Sequence, residues 1–204
     1  MLAEYNRKRR FGVTPEPAGR PGRRRTRSLA FVVQKHRAGH LHYDMRLEHE
    51  GAMLSWAVPK GPSVDPATKR LAMTTEPHPM DYNDFEGVIP EGEYGGGTVM
   101  IWDRGTWEPE VADVGAALAK GELKFRLQGR KLRGSWVLVR TRNRQWLLIK
   151  HRDRFASTED ITATRPQSVV SRRTMAGIAR AARASPRQVE LAAAADPPRA
   201  SRTG

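Results

Sequence analysis

The segment from His40 to Glu48 alternates polar and apolar residues over nine positions, and this pattern constrains the fold most. A period of two residues is typical of a β-strand with one buried face. Because alternate residues of a strand share a face, His42, Asp44 and Arg46 are expected to lie side by side on the face opposite the apolar one. The apolar positions are Leu41, Tyr43, Met45 and Leu47.

The polar row has an unusual composition for a solvent-facing strand. Together with His36 just upstream, it offers imidazole nitrogens and a carboxylate, which suit Mn, Fe or Zn. Arg46 adds a planar fork that fits phosphate. The pattern therefore favours a metal site that also holds an anion. The alternative is that these histidines are ordinary surface or core residues, and His40 stays open as a competing ligand because it shares the face.

The composition excludes several classes of site and of destination. The chain of 204 residues has no cysteine, which rules out disulfides, a thiolate metal site and a cysteine nucleophile. The first twelve residues lack an apolar stretch of signal-peptide length, and no run approaches 18 apolar residues. We therefore expect a cytoplasmic protein that does not enter a membrane.

The net charge of +14 is unevenly distributed along the chain. Residues 1–30 carry nine Lys and Arg against two acids, and residues 151–204 carry ten against five. Residues 31–119 are acidic, with seven basic and fourteen acidic residues, whereas 120–150 hold ten basic and one acidic residue. Basic flanks beside a phosphate site favour nucleic acid as the ligand. The alternative is an Arg-rich composition that only keeps the chain soluble.

Strand and turn signals fill the middle of the chain. They predict a mainly β fold, namely a compact closed or nearly closed β-barrel of about eight strands with one or two short helices. One helix is expected between an Asp113 cap and a Gly121 stop. The glycine-rich segment 91–98 leads into a strand and lacks the ending of a phosphate-binding loop, so it is interpreted as a turn. The candidate strands are 31–35, 41–48, 52–58, 70–75, 97–103, 122–128, 132–140 and 145–150.

The two ends differ from the middle in composition. Residues 1–30 are rich in Arg, Pro and Gly, and residues from about 157 onward are rich in Ser, Ala, Arg and Pro. Both are expected to be largely disordered basic tails. A short helix is predicted within 171–184. The domain prediction is an N-terminal segment (1–30), a barrel (31–155) and a tail (156–204).

Four long blocks of the sequence resemble a known family. They are FVVQKHRAGHLHYDMRLE (31–48), LSWAVPKGPSVDPATKRLAM (54–73), EPHPMDYNDFEGVIPEGEYGGGTVMIWDRGTW (76–107) and WLLIKHRD (146–153). They are similar to the 3′-phosphoesterase module of the bacterial end-joining enzyme DNA ligase D. The resemblance covers roughly residues 5–155, and the segment 168–179 is similar to the stretch directly C-terminal to the module in that family.

The resemblance implies an activity and a set of site residues. The family uses Mn²⁺, with Co²⁺ or Zn²⁺ as other options, and acts on 3′ ends of DNA or DNA–RNA primer-templates. It removes a terminal 3′-ribonucleoside and then the remaining 3′-phosphate, leaving a hydroxyl. Matching positions imply metal ligands (His36, His42, Asp44), catalytic residues (Arg46, His78, Tyr82) and phosphate- or substrate-binding residues (Arg9, Glu16, Gln34, Lys60, Arg70). From the sequence alone, His78 is expected in a loop because prolines flank it.

Two positions depart from the family pattern, since Arg10 and Pro77 stand where an acid is usual. Arg10 predicts that phosphate removal survives better than ribonucleoside removal, and that Arg10→Asp restores the balance. The sequence contains no ligase or primase-polymerase motif, so we expect a freestanding, monomeric, nucleoid-associated enzyme. An end-joining ligase, polymerase or Ku protein would be its partners. The alternatives are a catalytically altered end-binding or recruitment module, and a phosphodiesterase for small nucleotides.

Overall fold

A closed barrel of eight antiparallel strands forms the centre of the computed structural model, which describes residues 2–20 and 28–198. The predicted fold class is thereby confirmed. The strands are β1 (Leu29–Arg37), β2 (Leu41–His49), β3 (Ala52–Val58), β4 (Arg70–Pro79), β5 (Gly87–Ile89), β6 (Gly97–Pro109), β7 (Glu122–Gly129), β8 (Arg133–Arg142) and β9 (Gln145–Lys150). Neighbouring strands follow the order β1-β2-β3-β4-β9-β8-β7-β6, and β6 pairs with β1 to close the barrel.

Strand β6 is long enough to serve two neighbours on one edge. Its first residues pair with the short β5, and its last five residues pair with β7. The opposite edge pairs with β1, with a register shift between Val33 and Gln34. Closure leaves no free edge along most of the sheet, which removes the usual template for aggregation.

Alternate residues of each strand fill the barrel interior. Trp102, Trp107 and Trp136 are fully buried there. On β2 the interior side chains are Tyr43, Met45 and Leu47. His42, Asp44 and Arg46 therefore lie on the outer face of the barrel wall.

Most strand predictions are confirmed, and the differences concern the ends of strands. Strand β4 runs on to Pro79, so His78 lies in a strand and the prediction of a loop is wrong. Pro77 is tolerated because it lies at the register irregularity between β3 and β4, and Pro79 ends the strand beyond the residues that pair with β9. Strand β5 was not predicted, because three residues carry too little periodicity.

The predicted helix between Asp113 and Gly121 is confirmed as α2 (Val114–Lys120). The Asp113 carboxylate accepts a hydrogen bond from the Ala116 N–H, and Gly121 ends the helix with a φ of 91°. A positive φ is accessible to glycine without steric cost. The structure also contains α1 (Ala3–Arg7) and a 3₁₀ helix (Met80–Asp84).

The expectation of disorder from about residue 157 onward is wrong for residues 157–198. This segment forms α3 (Ile161–Thr164), α4 (Met175–Ala181) and α5 (Pro186–Ala194), and the predicted helix within 171–184 corresponds to α4. Each helix begins at a capping residue whose side chain accepts a hydrogen bond from a backbone N–H of the first turn. The capping residues of α3, α4 and α5 are Asp160, Thr174 and Ser185. The apolar face of the segment joins the barrel core through Ile161, Met175, Ile178, Ala179, Ala192 and Ala195.

Two contacts tie the end of α5 to the rest of the molecule. The Asp196 carboxylate accepts from the backbone N–H groups of Met175 and Ala176, at 2.8 and 3.1 Å, and so caps α4 from a distance in sequence. The buried Lys35 ammonium donates to the Ala195 carbonyl at 2.6 Å. Residues 199–204 of the predicted tail lie outside the described residues.

The N-terminal segment is also folded over residues 2–20, contrary to the expectation of disorder. It lies on the outer face of the barrel, and the Tyr5 ring in α1 is fully buried in a cluster with Tyr82, Phe85, Ile89 and Val99. Residues 1 and 21–27 are outside the described residues. Within the described parts of the chain, no helix has the length and apolarity needed to cross a membrane.

Candidate metal and phosphate site

Three potential metal ligands meet on the outer face of β1 and β2. His36 and His42 are directly opposite each other in the strand register, and Asp44 is opposite Gln34 one row further along. The ligand atoms of His36, His42 and Asp44 all lie within 4.8 Å of one another. The structure thus brings together the three residues that the sequence comparison implied as ligands. His40 is exposed and is not part of this group.

Backbone carbonyls fix how the two imidazoles are presented. The His36 Nε2–H donates to the Gly95 carbonyl at 2.8 Å, and the His42 Nδ1–H donates to the His40 carbonyl at 3.0 Å. These bonds leave His36 Nδ1 and His42 Nε2 as acceptors, and they lie 3.7 and 3.6 Å from Asp44 Oδ2. Metal-binding histidines in proteins commonly donate their other ring N–H to a carbonyl in this way.

The charges at the site keep Asp44 ionised. Burial alone would raise the pKa of Asp44, but the Arg46 charge and the polar contacts with His36 and His42 hold it well below its usual value. Burial lowers the pKa of His42, and its interaction with Asp44 outweighs that effect, so the pKa lies above its usual value. Two imidazoles beside a buried carboxylate form a donor set that a divalent cation would suit.

Arg46 is held on three sides of its guanidinium, and it is 2% exposed. Its Nε donates to Gln34 Oε1 at 2.9 Å, one terminal nitrogen donates to Ser55 Oγ at 2.9 Å, and the other donates to Asp44 Oδ2 at 3.1 Å. A guanidinium has five N–H donors, so two remain for an anion. The Tyr82 ring lies against the guanidinium, with 5.1 Å between the ring centroid and Cζ.

Gln34 connects this arginine to the 3₁₀ helix. While its Oε1 accepts from Arg46, its Nε2 donates to the carbonyls of Tyr82 and Phe85, at 2.9 and 3.0 Å. Gln34 is fully buried and does not line the site cavity. It therefore positions Arg46 and Tyr82 relative to each other, whereas the sequence comparison implied a role in binding.

His78 faces the same region from the end of β4. Its Nδ1–H donates to the Glu76 carbonyl at 2.9 Å, and its Nε2 accepts from an Arg9 terminal nitrogen at 3.3 Å. Burial and the nearby charges of Arg46 and Arg9 hold the pKa of His78 well below its usual value. Its imidazole is therefore neutral, and Nε2 is the atom presented to the site.

The N-terminal segment supplies Arg9, which is nearly buried. Its Nε donates to Glu16 Oε1 at 2.8 Å, and its guanidinium lies 3.8 Å from the centroid of the Tyr5 ring. Glu76 Oε1 is 3.6 Å from another nitrogen of Arg9. The Tyr5 ring also contacts the His78 ring edge-on, with 5.0 Å between centroids. The segment 2–20 thus forms one wall of the site.

These groups surround a cavity of about 260 Å³. The Asp44 carboxylate and the Arg46 guanidinium lie beneath the cavity. The polar face of β2 was expected to be open to solvent, but these two side chains are buried, and Asp44 is 7% exposed. The cavity lining includes Arg9, His36, Ala38, His42, Asp44, Arg46, Ala57, Thr75, Glu76, His78, Tyr82, Ile89, Tyr94 and Gly95.

Besides Gln34, three of the implied substrate-binding residues lie outside this cavity. Lys60 is exposed beside a separate depression near Lys35 and Tyr43. Arg70 begins β4 and is paired with Leu148 on β9, at the opposite end of the strand from His78. Glu16 is buried behind Arg9 and positions it rather than facing the cavity.

The structure adds residues that the sequence did not single out. Ser55 and the Gly95 carbonyl hold Arg46 and His36, and Tyr94, 47% exposed, lies at the cavity rim. The sequence could have indicated Ser55 once β2 and β3 were aligned as a hairpin, because Ser55 is opposite Arg46 in that register. It could not have indicated the Gly95 carbonyl, since a backbone group carries no residue type.

Arg10, which departs from the family pattern, does not line the cavity. Its guanidinium makes two hydrogen bonds to the Glu93 carboxylate in the loop before β6, and its side chain is 71% exposed. Arg10 therefore helps to hold the N-terminal segment against that loop.

A model of the DNA ligase D 3′-phosphoesterase domain matches residues 34–140, which is more than half of the chain. The chain belongs to the DNA ligase D 3′-phosphoesterase family. The matched region contains all three potential metal ligands, together with Arg46, His78 and Tyr82. It excludes the N-terminal segment that supplies Arg9.

Several curated proteins are similar to the chain over most of its length. The multifunctional non-homologous end joining protein LigD of Pseudomonas aeruginosa is 53% identical over 182 residues, which is 85% of this chain and 22% of that protein. The Mycolicibacterium smegmatis protein of the same name is 40% identical over 157 residues, or 74% and 21%. The Mycobacterium tuberculosis non-homologous end joining DNA repair protein LigD is 41% identical over 146 residues, or 72% and 19%. The chain spans about a fifth of the length of these relatives.

Proposed function

We propose that the chain is a metal-dependent phosphoesterase that repairs 3′ ends of DNA or DNA–RNA primer-templates in non-homologous end joining. It removes a 3′-terminal ribonucleoside, a 3′-phosphate or both, and leaves a 3′-hydroxyl. The observation that carries this proposal is the buried contact between Asp44, which faces two imidazoles, and Arg46, which keeps two free donors. The Asp44 carboxylate then belongs to a cation site and also holds in place the arginine that would bind an anion.

Manganese fits the donor set of His36, His42 and Asp44, and Co²⁺ or Zn²⁺ suits the same atoms. A bound divalent cation would polarise a phosphoryl oxygen and neutralise charge that develops on it. The two carbonyls that accept from the imidazoles keep the remaining lone pairs of His36 and His42 directed to the same place as the Asp44 carboxylate.

Arg46 and Arg9 would bind the phosphate group. Arg46 is locked by its three hydrogen bonds, so its free N–H donors need no rearrangement when a phosphate enters. Arg9 donates to His78 Nε2 in the free protein and can transfer that donor to a phosphate oxygen. Both contacts strengthen as negative charge accumulates on the non-bridging oxygens.

His78 would handle a proton at Nε2. When the anionic phosphate lies beside Arg9 and Arg46, it would offset the charges that hold the pKa of His78 low, so that Nε2 takes up a proton from solvent water. A protonated Nε2 can then donate to a phosphoryl or leaving oxygen. Tyr82, buried between Arg46 and His78, keeps these two groups apart and oriented.

The competing interpretation is a non-catalytic end-binding module, and the substitution in its favour is Arg10. Arg10 lies outside the cavity and pairs with Glu93, which supports the catalytic proposal instead. Within the described residues, the charged groups and imidazoles that line the cavity are of the kinds that an active phosphoesterase requires.

The decisive experiment uses a 5′-labelled primer-template that ends in one ribonucleotide, and a second one that ends in a 3′-phosphate. In Mn²⁺ we expect the first primer to shorten to a 3′-hydroxyl product and the second to lose its phosphate, whereas EDTA should abolish both reactions. Equal rates on a small nucleoside phosphate would instead favour a phosphodiesterase for small nucleotides. A chain that binds the primer-template but leaves both ends intact would contradict the proposal.

Asp44→Asn is the variant that tests the site. It keeps the shape of the side chain but removes the charge shared by the metal ligands and Arg46, so we expect turnover to fall by at least about 100-fold. Asp113→Asn is a matched control, because Asp113 caps α2 and asparagine caps helices equally well. Equal activity of the two variants would remove Asp44 from the mechanism.

A further inference from the structure

A second charged region lies outside the catalytic cavity. Three adjoining cavities of about 290, 250 and 400 Å³ share lining residues near the β7–β8 turn and the segment 165–172. We call this region the basic groove and define it by Arg130, Lys131, Arg133, Arg154, Arg165 and Arg172. It accounts for part of the basic stretch 120–150, which the catalytic site does not use.

Little negative charge balances these side chains. Among the residues that the structure describes, none of the six makes an ion pair within 4.0 Å, and Glu159 is the one acid that lines the groove. Asp103 lies beneath, where it accepts from the backbone N–H groups of residues 130–132. It shapes the turn but is buried.

Lys131 is largely buried and joins the two sides of the groove. Its ammonium donates to the carbonyls of Arg165 and Gln167, at 2.8 and 2.6 Å, which holds the segment 165–167 against the barrel. Burial lowers the pKa of Lys131 to about 7; Asp103 opposes this shift, whereas the charges of Lys35 and Arg165 add to it. An anion over the groove would relieve that repulsion.

The groove is a near neighbour of the catalytic cavity. The Val169 N–H, at the groove, donates to the Ile101 carbonyl at 3.1 Å, and Ile101 on β6 is opposite Gln34 on β1, which is opposite Asp44 on β2. Two strand spacings of about 4.8 Å separate Ile101 from Asp44, so the groove and the cavity are on the order of 10 Å apart. The groove and the cavity share no lining residue, so the groove is a separate contact and does not extend the cavity.

We propose that the basic groove binds the phosphodiester backbone of the duplex part of the nucleic acid whose 3′ end occupies the cavity. This inference rests on the proposed function for the identity of that end. Each strand of a duplex carries a phosphate about every 3.4 Å along its axis, so a duplex leaving the cavity passes phosphates over a surface on the order of 10 Å away. A groove of three connected depressions lined by guanidinium groups suits such a repeated anion better than a single small one.

The test compares two double variants with the same change in net charge. Arg165→Glu with Arg172→Asn removes cations from the groove, and asparagine tolerates the left-handed backbone at residue 172 (φ 62°). Arg142→Glu with Lys120→Gln is the control at the far end of β8, about 30 Å away by strand length, where both side chains are exposed.

Fluorescence anisotropy of a labelled primer-template with a 3′-hydroxyl end is measured for both double variants and the unaltered chain over a series of KCl concentrations. We expect the groove variant to weaken binding about tenfold or more and to lower the salt slope by about 2, because two phosphate contacts are lost. The control should keep nearly the original slope.

Equal slopes for the two double variants would overturn the proposal, as would an unchanged slope in the groove variant. The result is separable from the proposed function. A chain that processes no 3′ end, but whose binding depends on Arg165 and Arg172, would refute the proposed reaction while supporting the groove as a nucleic-acid contact.

Discussion

Replacing Arg46 by lysine tests whether the site depends on a fork of donors or only on a positive charge. Lysine keeps the charge but has three donors at a single nitrogen instead of five on a planar group. The acceptors Gln34 Oε1, Ser55 Oγ and Asp44 Oδ2 lie around different parts of the guanidinium. One ammonium can reach one of them well, and two hydrogen bonds are lost in a buried place.

The magnitude depends on those two bonds. A hydrogen bond to a charged group contributes about 1.5 to 3 kcal/mol, so the free energy of unfolding should fall by about 3 to 6 kcal/mol. Water that enters the cavity would reduce this loss. Catalysis should suffer separately, because the donors directed at a phosphate disappear; loss of one such donor typically costs about 100- to 1000-fold in turnover.

Urea unfolding measures the first effect, and hydrolysis of a 3′-phosphate primer under saturating conditions measures the second. Arg142→Lys, on an exposed part of β8, is the matched control for a change from arginine to lysine. If Arg46→Lys unfolds at the same urea concentration as the control and retains full turnover, the three hydrogen bonds neither stabilise the fold nor orient a catalytic group, and our account of Arg46 is refuted.

Three further predictions address the C-terminal helices, the metal site and the N-terminal segment. Ile178→Ala should lower the free energy of unfolding in urea by about 2 to 5 kcal/mol because the side chain lies in the barrel core, whereas Val170→Ala on the surface should change it little; equal effects would mean that α4 is not part of the core. Manganese affinity, followed by titration calorimetry, should fall by about tenfold per pH unit as the pH is lowered, because a proton on His42 competes with the metal. The pKa of His42 is raised, so the fall should already begin at a pH above 6.5. Constant affinity through that range would argue against His42 as a ligand. Arg10→Asp should leave the ratio of ribonucleoside removal to phosphate removal nearly unchanged, since Arg10 pairs with Glu93 outside the cavity, and a several-fold rise in that ratio would favour the sequence-based expectation instead.

The sequence predicted the barrel wall well because strand patterning is local. The alternation through Met45 and Leu47 identifies which face of β2 is buried, and the same period places His42, Asp44 and Arg46 on one row. A short connection between β1 and β2 then brings His36 opposite His42. These inferences need only the period of a strand and the length of a turn.

The remaining parts depended on contacts between distant segments. Nothing in the local pattern indicates that Ile178 and Ala192 have a barrel to pack against, so an Ala- and Arg-rich segment resembles a disordered tail. The double role of Gln34 likewise requires the carbonyls of Tyr82 and Phe85, which are about fifty residues away in sequence. Lys60 and Arg70 fall outside the cavity for the same reason, since the loop between them has no pattern that fixes its direction.

Because the site lies on the outside of the barrel, its residues come from two kinds of structure, namely paired strands and the segments that cover them. The cation donors and Arg46 come from paired strands, whose ladder fixes their spacing and whose interior tryptophans resist deformation. The walls that would meet the sugar and the base, including the loop that carries Tyr94, come from segments that are not bound by the register of the barrel. Substitutions or insertions in those walls could therefore alter which 3′ ends are accepted while the phosphate chemistry stays in place, so that relatives with the same strands need not share the same preference for ribose or deoxyribose ends.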